Sequence, residues 1–181
     1  MGLVLDDKLK IGVITIHRRT EPAVGPWLPS IDELRETVEL VDGCGYDSLW
    51  CGDHISFPAA ILDPLLQLAQ AAVVSRRLMF GTSVYLLPLR HPVPVAKQVA
   101  TLDHLSEGRF IFGVGVGGEF KREYEACGVP IGERGARLNV EINVESIADT
   151  AYADTVRTET VRVSDAAART ADEADALLRD A

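Results

Sequence analysis

Cysteine is scarce and never closely spaced: Cys44, Cys51 and Cys127 form no CxxC pair and leave an odd count. That excludes a disulfide framework and a closed zinc site, and reads as buried, reduced thiols of a cytoplasmic protein. Basic side chains are also in deficit, 18 against 27 acidic, for a net charge of −9 and an isoelectric point near 4.9. A nucleic-acid partner depends on clustered Lys and Arg, and an anionic membrane surface asks for the same, so both are excluded as partners. No apolar run approaches the ~20 residues that span a bilayer. No charged and then apolar leader opens the chain, and Asp6 stands where a myristoylation site at Gly2 would need Ser or Thr. The nucleophile elbow, the Walker loop and the HExxH pattern are all missing.

Glycine and proline are absent from one region only. All 15 glycines and all nine prolines lie before residue 142. Residues 142–181 carry nine acidic and four basic side chains and one aromatic, Tyr152. This shift places a boundary near Glu141 to Asn143, dividing the chain into 1–141 and an acidic, Ala-rich tail, 142–181.

The front part alternates apolar runs with helical patterns. Lys10 to His17 is β-rich without polar alternation, as expected of a strand buried on both faces. Ser30 to Glu33 reads as a capping box, followed by Ile31, Leu34, Val38 and Val41 at helical spacing, with Gly43 or Gly45 as the stop. Asp47 to Cys51 is a second strand, and Asp63 to Ser75, opening on Pro64, a second helix. Leu78 to Leu87 and Arg109 to Val116 are a third and fourth strand. Pro92 to Ser106 is the helix between them, and Phe120 to Cys127 begins a fourth. Four βα units in succession mean a parallel sheet with helices outside it. Two architectures satisfy that pattern: a doubly wound open sheet, or part of a (β/α)8 barrel.

Ligands of parallel α/β proteins gather where strands end and helices begin. Three polar or glycine-rich clusters sit at that end: Gly52-Asp53-His54, Thr82-Ser83-Val84-Tyr85, and Gly113 to Glu119. Asp53-His54 joins a carboxylate to the side chain that titrates nearest neutrality, which suits proton transfer. The same pair could instead cap the next segment and bond a backbone carbonyl. Gly113, Gly115 and Gly118 fit G-x-G-x-x-G, where bare backbone approaches a phosphate or a ring closely. That run follows the fourth strand rather than the first, which weakens a Rossmann-type dinucleotide reading. His17, His91 and His104 share no helix face at ligand spacing and read as non-catalytic, and no metal site is expected.

The stretch Ala96 to Phe110 (AKQVATLDHLSEGRF), continuing into FGVGVGG, resembles the bacterial luciferase-like monooxygenase family. Gly45 to Trp50, Gly52-Asp53-His54, Gly81 to Val84 and Gly132 to Leu138 agree in order, so the likeness spans roughly residues 10–140. The resemblance implies an α/β fold of the (β/α)8 TIM-barrel type, of which about four βα units are present, followed by a divergent tail. It implies FMN or coenzyme F-420 at the C-terminal mouth and a small organic molecule as substrate. By motif, His54 becomes the acid/base, Asp53 lies beside ring and substrate, and Glu119 touches one or the other. Ser83-Val84 takes the place of a non-proline cis peptide backing the ring, while Gly115 and Gly117 clear space for it. A full barrel takes about 250 residues, so the four units leave open edges that either the tail or a second copy, as a homodimer, would cover. A non-catalytic half-barrel acting through self-association is the competing reading.

Overall fold

The computed structural model describes residues 9–15, 28–58, 60–118 and 120–139. The expectations for His17, Glu119 and the tail 142–181 lie outside the described residues. Strands β1 (Gly12–Ile14), β2 (Ser48–Cys51), β3 (Met79–Thr82) and β4 (Phe110–Ile111) form one sheet. Helices α1 (Ile31–Gly43), α2 (Pro64–Val74) and α3 (Pro92–Leu105) connect them, and α4 (Lys121–Ala126) follows β4.

Local chemistry explains where these elements begin and end. At the start of α1 the Glu33 amide donates to Ser30 Oγ at 3.2 Å and the Ser30 amide to Glu33 Oε2 at 2.7 Å, the expected capping box. Of the two candidate stops, Gly45 takes the left-handed conformation, with φ 83°. Asp63 caps α2 by accepting from the Leu65 and Leu66 amides at 3.0 and 3.1 Å, with Pro64 in the first turn. His91 caps α3 through the Val93 amide at 3.3 Å.

Every strand pair is parallel and the order is β1-β2-β3-β4. That order decides between the two architectures left open by the sequence. A doubly wound sheet reverses its strand order at a switch point, whereas a barrel adds each strand beside the last. With no reversal among the described strands, the Rossmann-type alternative is corrected: they form no switch-point crevice for a dinucleotide, and the glycine run follows the fourth strand rather than the first. The fold is α/β, four units of the (β/α)8 type.

Side chains alternate across the sheet. Leu49, Cys51, Phe80, Thr82 and Phe110 face the helices and are buried with Leu68, Ala71, Ala72, Val95 and Leu102. The opposite face is more open, and Ile14 is 59% exposed. Trp50 lies across that face, and a Cβ at either Gly12 or Gly81 would run into its indole. Glycine on both neighbouring strands is what lets a tryptophan lie flat there.

Two strands are shorter than the apolar runs suggested. The run to Leu87 stops as β3 at Thr82, and the run to Val116 stops as β4 at Ile111. The Thr82 hydroxyl inserts between the strands, donating to Gly113 O at 2.8 Å and accepting from Gly113 N at 2.9 Å. Only an isolated bridge, Tyr85 to Val114, resumes the ladder before a 3-10 turn at Leu87–Leu89. The chain is apolar there because it is buried, not because it is strand.

Candidate active site at the mouth of the sheet

Parallel strands bring the three clusters to one edge, and hydrogen bonds between loops bind them into a unit. The loop after β2 contributes Asp53 and His54. Asp53 has a side chain with no exposed surface. Its Oδ2 accepts from Arg90 Nη1 at 2.5 Å and from the Leu86 amide at 2.8 Å, and its Oδ1 accepts from Arg90 Nη2 at 2.8 Å. Burial works against the Arg90 charge, but the hydrogen bond and charge of Asp53 outweigh it and raise the guanidinium above its ordinary pKa. Arg90 also lies over the Tyr85 ring, 4.1 Å from its centroid. Asp53 thus ties the loop after β2 to the segment after β3.

His54 points elsewhere. Its Nδ1 is 2.9 Å from Glu123 Oε2, while Glu123 Oε1 accepts from the Ile55 and Ser56 amides at 2.7 and 3.2 Å. Glu123 is 2% exposed, and the His54 side chain 28%. The ring stacks on Phe57 at 4.1 Å and 22°, and Phe57 meets Phe120 edge-on at 5.5 Å. One imidazole nitrogen is therefore held by a buried carboxylate, and the stacking constrains the ring plane.

The peptide bond Ser83-Val84 is cis, as the resemblance implies, and Val84 presents an apolar ledge, 42% exposed. The glycine run packs against it. A Cβ at Gly115 would sit 2.5 Å from a Val84 methyl, and one at Gly117 2.9 Å from Leu86. Gly117 also has φ 64°, which disfavours a side chain. The missing side chains at these positions make room for Val84 and Leu86. The Tyr124 hydroxyl donates to Val116 O and locks the run against α4.

Arg90 and Glu123 were not among the sequence candidates. No spacing signal marks Arg90, 37 residues from Asp53. Glu123 does carry one: it shares a helical stripe with Phe120, Tyr124 and Cys127, where a lone carboxylate must find a partner. His104 falls in the last turn of α3, where a cation suits the helix dipole.

The described residues meet part of what a flavin or deazaflavin needs. Val84 is an exposed apolar surface beside the cis bond, and His54 a partly exposed imidazole. Of the arginines near the mouth, Arg90 is engaged by Asp53, while Arg134 and Arg137 donate to the carbonyls of Ile131 and Pro88. Among the described residues, no group of three or more His, Cys, Asp or Glu could hold a metal. No helix of the described residues is long and apolar enough to cross a membrane.

A sequential parallel sheet whose polar loops converge at one mouth is four βα units of a (β/α)8 barrel. The chain belongs to the luciferase-like monooxygenase family, whose model matches residues 9–142. It is 46% identical over 83 residues to 4-hydroxyprotoasukamycin monooxygenase of Streptomyces nodosus subsp. asukaensis, covering 45% of this chain and 22% of that protein. Its fold matches the oxygenating constituent of 3,6-diketocamphane monooxygenase of Pseudomonas putida, solved with FMN, at a TM-score of 0.64 and 23% identity over 75% of this chain and 38% of that one. It also matches the coenzyme F-420-dependent tetrahydromethanopterin reductase of Methanopyrus kandleri at 0.52 and 23%, over 67% of this chain and 30% of that one. The chain thus spans well under half the length of each.

Proposed function

We propose that the chain supplies the ring-facing half of a luciferase-like oxidoreductase that takes FMN or coenzyme F-420 and acts on a small organic substrate. The observation that carries this reading is the partly exposed His54, anchored through Nδ1 to the buried Glu123 at the C-terminal mouth of the sheet. When bound, the cofactor would supply hydride transfer or oxygen activation, the chemistry common to such rings. The chain's own residues bind and orient. Val84 backs the ring, His54 Nε2 moves a proton to or from substrate or ring, and Asp53 holds its loop in place through Arg90. Glu119, outside the described residues, is assigned to cofactor or substrate by the family motif alone.

Titrating FMN and F-420 separately into the purified chain tests this. Quenching or a spectral shift of one ring is expected, weakened when Val84→Asp places a charge on the ledge. No change with either ring in the tens of micromolar defeats the reading for the isolated chain. Among the described residues β1 and β4 are edge strands and Ile14 is exposed, which favours a second reading, a half-barrel that self-associates without catalysis. Sedimentation separates the two: a homodimer that binds neither ring supports the second.

A further inference from the structure

We infer that Glu123 is a positioning residue that selects the tautomer of His54, keeping the proton on Nδ1 and presenting a bare Nε2 at the mouth. The inference deepens the function proposed above and rests on it only for what Nε2 does there. The tautomer itself is a property of the chain alone.

The argument is one of donors and acceptors. The Ile55 and Ser56 amides can only donate, and both aim at Glu123 Oε1, at 2.7 and 3.2 Å. The remaining oxygen, Oε2, faces His54 Nδ1 at 2.9 Å. A carboxylate accepts and does not donate, so Nδ1 must carry the hydrogen that joins them. A neutral imidazole has one N–H, and once that is on Nδ1, Nε2 is the acceptor. Alternatives are blocked by the surroundings. Glu123 is 2% exposed, so water does not readily replace the contact. Stacking on Phe57 resists the ring flip that would exchange the two nitrogens. Asp53, one residue away, takes no part, because Arg90 and Leu86 engage both its oxygens.

The geometry makes Glu123→Gln a sharp probe, because the replacement has nearly the same shape and opposite hydrogen-bond logic. The two backbone amides still require an oxygen, so the Gln carbonyl must stay on them. Its NH2 is then turned to Nδ1, which can satisfy it only by becoming an acceptor. The proton is displaced to Nε2, and the group offered at the mouth changes from a base into a donor.

Long-range proton–nitrogen NMR on the nitrogen-15-labelled chain reads this directly, at a pH where the ring is neutral. His54 is assigned by the signals lost in His54→Gln. In the wild type, Nδ1 should show the proton-bearing shift and Nε2 the bare one; in Glu123→Gln the two should exchange places. A purely structural role for Glu123 would leave the pattern unchanged. A wild-type His54 protonated on Nε2, or a folded Glu123→Gln chain that keeps the wild-type pattern, overturns the inference. The wild-type spectrum decides alone should the variant fail to fold. Neither readout uses FMN or F-420, so a failure of ring binding would count against the proposed function and not against this assignment.

Discussion

Replacing Arg90 with Met should destabilise the chain by about 3 kcal/mol, near the low end of the ~3–5 kcal/mol cost of orphaning a buried charge. The perturbed carboxylate has no exposed surface, and its partner side chain is only 16% exposed. Two of the three donors to Asp53 come from Arg90, at 2.5 and 2.8 Å, and both vanish in Arg90→Met. The third, the Leu86 amide at 2.8 Å, survives, which is why the low end applies. Loss of the guanidinium from the Tyr85 face adds roughly 0.5–1 kcal/mol. Met fills much of the space of the arginine stem, so the cavity contribution is small. Urea unfolding at neutral pH measures the effect. With a slope of about 1–3 kcal/mol/M, the midpoint should fall by roughly 1–3 M while the slope holds. Asp53→Asn alone should also be costly, because its amide would face the donors of Arg90. The double variant Asp53→Asn/Arg90→Met should lose clearly less than the two single losses added, since neither leaves a charge to orphan. A loss below about 1 kcal/mol for Arg90→Met, or strict additivity in the double variant, would refute the buried pair as the tie between the two loops.

Cysteine reactivity should separate three environments. The exposed Cys44 should label at once and Cys127, raised mainly by burial, more slowly. Cys51, buried completely with its thiol pushed up to about 12 by burial, should label only in denaturant; native labelling as fast as Cys44 would contradict the packing of β2. Asp42 should contribute to the acid limb of stability. Its carboxyl is held below the usual range chiefly by the Ser75 hydroxyl at 2.6 Å, with Arg77 helping and burial opposing. The contribution is full above the unfolded value of about 3.9 and is lost as pH falls through the lower folded value. Asp42→Asn should therefore be less stable than wild type at neutral pH and converge with it in strong acid. Parallel urea midpoints that never converge would contradict the assignment.

Much of this architecture was legible from local pattern. The Ser30–Glu33 box, the Asp63 and Pro64 start of α2 and the positive-φ stop at Gly45 are decided by residues within a turn or two of one another. The cis bond at Ser83-Val84 was legible only through family motifs. Strand length was read less well. Tyr85 to Leu87 and Phe112 to Val116 look like strand because hydropathy reports burial, whereas the Thr82 hydroxyl that ends the ladder announces itself nowhere in the pattern. Composition could not tell that the bare backbone at Gly115 packs against Val84.

By itself the sequence determined that βα units repeat, that helices begin at Ser30 and Asp63, and that Asp53, His54, Ser83 and the glycine run share one end of a sheet. These follow from backbone period and capping, which act over a few residues. Tertiary structure alone decided that the strands lie in the order β1-β2-β3-β4, that Asp53 belongs to Arg90, and that His54 belongs to Glu123, 69 residues away. Such partners are chosen when helices dock on the sheet and buried charges must be satisfied, and no period in the chain encodes that choice.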